Sequence, residues 1–454
     1  MLTASFITLF HFDALTGIMI TLVSFIGLIV GLFALRYMQG DSQYAPFFEL
    51  LGLLVASVII MASADHLLVL LTAWGISNLL LVRLMIHKSI WKAAAHSGKL
   101  AGTTFLFGFA CLACAFTLLY YSTGQTSIQT ILHSSKETSL LDIIALTLII
   151  MAAMTQSAIW PFHSWLMSSL NSPTPVSAIM HAGLVNGGGF LLVRFAPLYA
   201  SQPTLLTILF ILGLVTALVG TFWKLMQHDI KRMLACSTMG QMGFMFAQCG
   251  LGLFPAAVAH LCWHGLFKAN LFLSSNSASQ DRRWSTEHTP TVTAFILAFL
   301  CGIMGSYIFA HICYKRWLAA DTTLLLLSVV LMAAVQFALQ LLQGAPWKQL
   351  PITIFLTGLL CALYGYSVYI IESLLSPLNL AHPHVLNIFH YIGLLLLFTL
   401  WIAMLFRNQL IQNNRLSPLW SMLYVKTLNA SQPHPLTITS HRNQYRYERG
   451  SHAV

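Results

Sequence analysis

Charged residues are scarce in this 454-residue sequence, in which Asp, Glu, Lys and Arg together make up 7%. A soluble domain carries roughly 25% charged residues, so the scarcity excludes a chain whose surface lies mostly in water. Hydrophobic residues account for 57% of the sequence instead. Apolar runs of roughly 18 residues or more recur between Gly17 and Phe406, and each is long enough to cross a hydrocarbon core ~30 Å thick. The composition therefore predicts an all-α, polytopic membrane helical bundle.

Acidic residues are the scarcer of the charged groups, with 12 Asp and Glu against 22 Lys and Arg and a net charge of +10. A basic balance is typical of nucleic-acid binding when the cations form a patch on one surface. Here most cations lie in short loops between apolar runs and in the C-terminal region, where they set orientation and contact anionic headgroups. We expect membrane lipid, and no nucleic acid, among the partners of this chain.

The sequence also lacks a complete metal or redox motif. Cys111 and Cys114 have redox-motif spacing, but apolar residues surround them, which is typical of small packing residues. His260 and His264 have the spacing of four that suits zinc. No glutamate follows His260, however, and no carboxylate or thiolate shares the same helix face. We therefore expect no metal and no cofactor in this chain.

Hydropathy predicts about thirteen transmembrane helices, which form a transmembrane domain over residues 1–406. Residues 407–454 are polar and form a C-terminal tail, in which residues 420–425 are predicted to be a short amphipathic segment. The predicted spans are 14–37, 46–64, 66–86, 100–122, 142–164, 174–199, 203–226, 230–251, 253–277, 291–312, 321–343, 350–373 and 386–406.

The distribution of cations predicts the orientation, because cytoplasmic loops carry an excess of Lys and Arg. Thirteen helices place the main basic groups on one face, with the N-terminus outside and the tail in the cytoplasm of a cell inner membrane. Lys136, Lys315 and Arg316 fall on the opposite face. The cations on the predicted cytoplasmic face are Arg83, Lys88, Lys92, Lys99, Lys224, Lys231, Arg232, Arg282, Arg283, Arg407, Arg415, Lys426, Arg442, Arg446 and Arg449.

Prolines predict a broken-helix region at the fifth and sixth spans. Pro161 removes a backbone donor inside an apolar run, and Pro173 and Pro175 precede the next run, so carbonyl groups are freed at membrane depth. Such irregular backbone occurs where it is buried in protein or lines a wet cavity, as in transporters. His181 follows about two turns into the next helix. A Pro-kinked helix whose histidine bonds a carbonyl is the alternative interpretation.

Three ionisable residues, His260, His264 and Lys268, recur every four positions in one apolar run. This spacing places their side chains on one helix face, ~6 Å apart along the axis. Each charge inside hydrocarbon costs ~2.5–3.5 kcal/mol on insertion scales, so each is a functional candidate. Imidazoles can pass protons near neutral pH, and a buried ammonium can release its proton. A polar face that packs against another helix is the alternative.

Lys231 opens the helix that precedes this stripe. It is either a determinant of topology or the cytoplasmic entrance of an ion path. The partners of three further charges within the spans, Glu49, Arg83 and Arg194, cannot be inferred from the sequence.

Four motifs, at residues 12–16, 173–182, 229–243 and 260–269, resemble those of the antiporter-like subunits of respiratory complex I and the Mrp cation/proton antiporters. The resemblance covers roughly residues 10–280. It implies an inverted pair of five-helix repeats with broken helices and a central hydrophilic axis. It also implies that the members of the proton-conducting chain are His181, Lys231, His260, His264 and Lys268.

The sequence departs from that family at two positions. Gly75 follows Trp74 where the family has a glutamate, and Gln156 stands where the family has a lysine. The loss of both partners is electrostatically consistent, because either alone would be a buried unpaired charge. The second half is also shorter and lacks the element that carries the family's distal lysine.

These departures, together with residues 74–88, 91–94 and 423–429, resemble the membrane subunits of the Dab inorganic-carbon accumulation system. The resemblance implies a large cytoplasmic partner that is similar to a β-carbonic anhydrase and holds the zinc, in a heterodimer. Ion flow through the membrane subunit would energise one-way hydration of CO2 to bicarbonate. No residue of this chain itself indicates carbon chemistry, so the chain is predicted to be a transporter subunit and not an enzyme.

The leading hypothesis is an ion-conducting, proton-carrying subunit of such a complex. The first alternative is a cation/proton antiporter or a proton-pumping membrane arm of a redox complex. A scaffold whose broken helices only pack together is the second.

Overall fold

The structure is a computed structural model in which the chain folds into a bundle of helices. It describes residues 9–88, 90–134, 139–227, 229–275, 290–317, 320–344, 346–405 and 417–438. The helices are α1 (Ala14–Tyr37), α2 (Tyr44–Ser63), α3 (Leu67–Met85), α4 (Lys92–Thr123), α5 (Ile128–Leu132), α6 (Leu140–Gln156), α7 (Ser164–Met167), α8 (Thr174–Ala182), α9 (Gly187–Arg194), α10 (Ala196–Ala200), α11 (Pro203–Met226), α12 (Ile230–Gly250), α13 (Phe254–Leu273), α14 (Val292–Ile312), α15 (Thr323–Leu341), α16 (Pro346–Leu375), α17 (Ile388–Leu405) and α18 (Ser417–Ala430).

Ten helical segments within the described ranges are long and apolar enough to cross a membrane, with α8 and α9 counted as one. Helix α6 is apolar but shorter. Helices α12 and α13 carry the polar residues of the candidate site, which lower their hydropathy. The all-helical, multi-pass membrane fold is confirmed, and the count of thirteen stays a prediction.

Two helix boundaries differ from the hydropathy prediction. The predicted span 142–164 ends as a helix at Gln156, because the chain turns there although its residues remain apolar. Ala158 takes a φ of 52°, and the N–H of Ile159 bonds the Met154 carbonyl at 3.0 Å. Helix α4 begins at Lys92, eight residues before the predicted start at 100, because its first polar turns lower the hydropathy without ending the helix.

The segment formed by α8 and α9 lies at the centre of the bundle, where all of its most apolar window is buried. Helix α8 packs against α1 and α13, and α9 packs against α6 and α13. Between α8 and α9 the chain leaves the α-helix at Gly183 and forms a 3-10 turn over Leu184–Asn186. The polar groups of this turn are therefore enclosed by protein on every side.

Helices α11 and α12 approach each other closely through small residues. A Cβ added at Gly213 would lie 2.3 Å from the Ala247 amide nitrogen, and one at Gly243 would lie 2.4 Å from that of Ala217. Only glycine permits this backbone contact, which is a common way for membrane helices to pack. The close packing fixes the rotation of α12 and so directs its Lys231 and Thr238 face toward α13.

Arg194 forms an ion pair that joins the end of α9 to the start of α1. Its Nη1 lies 2.5 Å from Asp13 Oδ2, and its Nη2 donates to Thr16 Oγ1 at 2.8 Å and to the Ala62 carbonyl at 2.9 Å. Asp13 also caps α1 by accepting the N–H of Thr16. The partner of Arg194 is thus a residue of the 12–16 motif.

The described part of the tail lies across the end of the bundle at which α12 begins. Gln227 Nε2 donates to Ser431 Oγ at 2.7 Å, the N–H of His434 donates to Ser168 Oγ at 3.1 Å, and Asn171 Nδ2 donates to the Thr437 carbonyl at 2.9 Å. We call residues 431–438 the strap. The predicted domain boundary at 406 and 407 lies outside the described residues, as do Lys136, Arg282, Arg283, Arg407, Arg415, Arg442, Arg446 and Arg449.

Candidate functional site

The three ionisable residues of α13 lie on one face of the helix. The rings of His260 and His264 are stacked with centroids 6.1 Å apart and an interplanar angle of 12°. His264 is 5% exposed and Lys268 is 0% exposed. Trp263 and Phe267, on the other side of α13, are exposed at 46% and 57%. Helix α13 therefore directs its polar face into the protein and its apolar face outward, as expected of a membrane helix that lines an internal path.

Helix α12 supplies hydrogen-bond partners to this face. Lys268 Nζ donates to the Leu234 carbonyl at 3.1 Å. His181, which is 1% exposed, has its Nδ1 at 3.0 Å from Thr238 Oγ1. The His181 ring also stacks on Phe272 of α13 at 4.4 Å. The structure thus brings His181 of α8 between the polar faces of α12 and α13.

Lys231 lies in the first turn of α12, next to the loop that precedes α8. Its Nζ donates to the Ser172 carbonyl at 3.2 Å. Asp229 caps α12 by accepting the N–H of Arg232 at 2.9 Å. The strap bonds Asn171, the neighbour of Ser172, so Lys231 and the strap lie at the same end of the bundle.

The order of these groups along the bundle follows from the antiparallel course of α12 and α13. Lys231 comes first, then Lys268 and His181 beside the Leu234–Thr238 turn of α12, and then His264 and His260. Eight residues separate Lys268 from His260, which is ~12 Å of helix. The line of five ionisable side chains therefore covers about half of a hydrocarbon core ~30 Å thick.

The 3-10 turn between α8 and α9 is bonded to the end of α6. Gln156 Nε2 donates to the Leu184 carbonyl at 3.2 Å, and Ser157 Oγ donates to the Val185 carbonyl at 2.6 Å. Asn186 Nδ2 donates a hydrogen bond to the Ala182 carbonyl, four residues earlier in the chain, at 2.8 Å. Side chains therefore satisfy the carbonyls that the interruption frees, as membrane-embedded irregular backbone requires.

A set of neutral polar side chains surrounds the positions at which the family carries its ion pair. Gln156 and Trp74 both lie against Gly187, within 3.3 Å and 3.8 Å of where its Cβ would be. A Cβ added at Gly75 would lie 2.9 Å from the Phe109 ring, so a larger residue there requires the ring to move. Trp74, Asn78, Gln156 and Asn186 are all at most 5% exposed. The structure therefore places amides and an indole beside the interruption between α8 and α9.

The three prolines lie at the boundaries of helices. Pro161 is exposed in the segment between α6 and α7 and follows a cis peptide bond. Pro173 caps α8 and Pro175 stands in its first turn, where a missing N–H costs nothing. The interruption within the 174–199 span lies further on, at Gly183–Asn186.

The remaining intramembrane charges lie away from this line. Glu49 in α2 and Arg83 in the last turn of α3 are exposed. Arg194 is 5% exposed and pairs with Asp13. Lys315 pairs with Glu372 at 3.1 Å, which offsets one of the cations on the face opposite to the main basic groups.

Neither a three-residue metal cluster nor a disulfide occurs within the described ranges, where all eight cysteines are free. Sequence reasoning missed Thr238 and Ser157, whose hydroxyls bond His181 and the broken helix. Thr238 stands seven residues after Lys231, on the same helix face. That spacing is the signal that would have identified it.

Two family descriptions match the chain. The one for the "NADH:quinone oxidoreductase/Mrp antiporter, TM" family covers residues 64–298, and the one for "NADH-Ubiquinone oxidoreductase (complex I), chain 5 N-terminus" covers residues 4–48. The first contains all five residues of the ionisable line.

Curated relatives include membrane subunits of two kinds. The probable inorganic carbon transporter subunit DabB1 of Halothiobacillus neapolitanus is 40% identical over 280 residues, which are 60% of this chain and 50% of the relative. The probable inorganic carbon transporter subunit DabB of Bacillus subtilis is 39% identical over 280 residues, 61% of this chain and 55% of the relative. The NADH-quinone oxidoreductase subunit L of Pseudomonas aeruginosa is 34% identical over 278 residues, 59% of this chain and 44% of the relative. The chain thus spans about half the length of these relatives, and they confirm the two resemblances that its motifs indicated.

Among solved structures, the Mrp complex from Dietzia sp. DQ12-45-1b superposes with a TM-score of 0.57 at 22% identity, over 93% of this chain and 45% of that one. At this identity the likeness concerns the fold. The family match extends over more than half of the sequence and includes the residues that form the candidate site. The chain therefore belongs to the NADH:quinone oxidoreductase/Mrp antiporter family of membrane proteins.

Proposed function

We propose that this chain is the proton-conducting membrane subunit of an energy-coupled complex that accumulates inorganic carbon. The observation that carries the proposal is the line of His181, Lys231, His260, His264 and Lys268, of which His181, His264 and Lys268 are buried and the other two are half-buried. Imidazole and amine groups can take up and release protons. Among the described residues none of the five forms an ion pair with a carboxylate, and packing alone does not require the cost of burying such groups. The identity of about 40% with relatives named as inorganic carbon transporter subunits supports inorganic carbon as the species that the complex accumulates.

The distribution of charges and the position of the strap support a membrane orientation and a binding face for the partner. The end of the bundle that carries Lys231 and the strap would face the cytoplasm of a cell inner membrane, with the N-terminus outside. A large cytoplasmic subunit, similar to a β-carbonic anhydrase and holding zinc, would bind there in a heterodimer. That partner would hydrate CO2, while this chain supplies the ion flow that makes the hydration one-way.

Proton flow would enter beside Lys231 and continue past Lys268 and His181 to His264 and His260. The strap and α18 lie at the entrance, so a partner bound to the tail would also lie there. Coupling between proton entry and the partner's reaction would then need no long-range transmission through the bundle.

A growth experiment tests the proposal. A carbonic-anhydrase-deficient strain that expresses the complex should grow in air, and H264A or K268A should abolish this rescue while growth at high CO2 and co-purification of the partner persist. C262A, on the same helix and off the polar face, is the matched control and should rescue. Full rescue by H264A and K268A would contradict the proposal.

A cation/proton antiporter or the membrane arm of a redox complex is the second candidate, favoured by the match to the NADH-quinone oxidoreductase subunit. It requires several further membrane subunits to co-purify with the tagged chain, and cation/proton exchange in inverted vesicles. Gly75 and Gln156 argue against it, because the ion pair of that family has no counterpart at these positions.

A further inference from the structure

Thr238 lies between His181 and Lys268. Its hydroxyl contacts the His181 ring and the carbonyl oxygen to which Lys268 donates. The His181 Nδ1 is 3.0 Å from Thr238 Oγ1. Thr238 Oγ1 is 3.0 Å from the Leu234 carbonyl oxygen, and Lys268 Nζ is 3.1 Å from the same oxygen. Thr238 and Lys268 are both 0% exposed. One hydroxyl and one carbonyl therefore join an imidazole on α8 to an amine on α13.

A threonine hydroxyl has a single proton, so it can donate to only one of these two neighbours at a time. When it donates to the Leu234 carbonyl, it must accept from His181, and the imidazole carries its proton on Nδ1. When it donates to His181 instead, Nδ1 is unprotonated and the neutral ring carries its proton on Nε2. The orientation of the Thr238 hydroxyl therefore selects the tautomer of His181.

Lys268 competes with Thr238 for the Leu234 carbonyl. A carbonyl oxygen has two lone pairs, and the N–H of Thr238 is directed at the same oxygen by the helix geometry. Both the Thr238 hydroxyl and Lys268 Nζ lie within hydrogen-bond distance of this oxygen. Hydrogen bonds from a charged donor are roughly twice as strong as neutral ones, so a protonated Lys268 favours the orientation in which the hydroxyl donates to His181 instead. A neutral Lys268 leaves the carbonyl available to it.

We infer that Thr238 is a positioning residue that couples the protonation state of Lys268 to the tautomer of His181. With Lys268 charged, Thr238 donates to His181 and the ring carries its proton on Nε2. Once Lys268 gives up its proton, the hydroxyl returns to the Leu234 carbonyl and the ring carries its proton on Nδ1. The inference rests on the proposed proton path and adds to it a device that orders two neighbouring steps.

The other charges near this unit come from the helices packed around it. Lys231 on α12 acts electrostatically on His181, together with Lys268 itself. The further titratable groups whose charges reach His181 or Lys268 are His264, Lys224 and Cys236. Among the described residues, none of these three groups hydrogen-bonds Thr238 or the Leu234 carbonyl, so within that part of the chain Thr238 joins the imidazole to the amine.

A threonine that bonds the carbonyl four residues back is also common as a purely local feature of helices. The experiment must therefore include a readout that a local role does not move. Solid-state 15N spectroscopy of labelled histidine reports the tautomer, and subtraction of the H181Q spectrum assigns the His181 signal.

In the purified complex, K268M should shift the His181 signal toward the form protonated on Nδ1. In a T238V background, which keeps the volume and removes the hydroxyl, K268M should produce no shift. T238V should also lower proton flux in proteoliposomes about tenfold, the factor expected from loss of one such hydrogen bond, and T238S should restore it.

The inference would be overturned by a His181 15N signal that is the same in K268M and in the wild type, or by a T238V variant with unchanged proton flux. Because the comparison of wild type with K268M does not involve a Thr238 variant, an unchanged tautomer in K268M overturns the inference even if T238V does not fold. Failure of the proposed function gives a different result, since H264A would then conduct protons as the wild type does.

Discussion

Lys268 is a fully buried amine that donates a hydrogen bond to the Leu234 carbonyl. The three ion pairs among the described residues involve other side chains. Burial of such a group in hydrocarbon costs ~2.5–3.5 kcal/mol on insertion scales, and residues kept at this cost are commonly functional. The residue is therefore expected to lower stability while it serves conduction.

Replacement of Lys268 by methionine tests this expectation. Methionine keeps the length of the side chain and removes the charge, so K268M should raise the melting temperature of the detergent-purified protein while it abolishes growth rescue. Differential scanning fluorimetry measures the first effect. A markedly lower melting temperature would show that Lys268 is mainly a structural donor to Leu234.

The sequence predicted the polar face of α13 but not its partners. His260, His264 and Lys268 follow the period of a helix, so their common face could be read from spacing. Asp13 and Arg194 are 181 residues apart, and no local pattern relates them. Thr238 was missed because hydroxyl residues are common in membrane helices and a single one carries no charge signal.

At the scale of helices, the interruption between α8 and α9 depends on two donors from the end of α6. Hydropathy could not locate this interruption, because a window of ~19 residues averages Asn186 and the glycines with the apolar residues on both sides. Prolines indicated irregular backbone in the region, yet Pro173 and Pro175 begin α8 and the break follows at Gly183. A chain can leave the helix there because Gln156 and Ser157 satisfy the freed carbonyls.

The variant S157A removes the donor to the Val185 carbonyl and leaves a buried acceptor unpaired. Such a loss costs ~1–3 kcal/mol, so amide exchange at residues 184–188 should become faster and the melting temperature should fall. S77A is the matched control, because Ser77 is also buried but bonds a carbonyl of its own helix. Equal exchange in S157A and S77A would show that the bond does not hold the break.

At the scale of the whole molecule, hydropathy gave the places of most of the long helices, because the hydrocarbon core requires long apolar runs. It predicted the ends of the helices less well: α4 begins before its predicted start, and α6 ends before its predicted end. The packing of α11 on α12 depends on glycines far apart in the sequence, and that contact has no local signature. The charge distribution predicts an orientation that the helices themselves do not establish.

Single cysteines test the orientation. In a cysteine-free background, Q125C in the exposed loop after α4 should react with an impermeant maleimide in intact spheroplasts. K92C, exposed at the other end of α4, should react only after permeabilisation. The reverse pattern would place the strap and Lys231 outside the cell and exclude a cytoplasmic partner at that face.

The most direct test of the account is potential-driven proton flux into proteoliposomes that contain the purified complex and a trapped pH-sensitive dye. The wild-type complex should acidify the lumen when a potential is imposed, and the complex with H264A should acidify it no faster than protein-free vesicles. Equal flux through the two complexes would show that the buried histidines and lysines do not conduct protons.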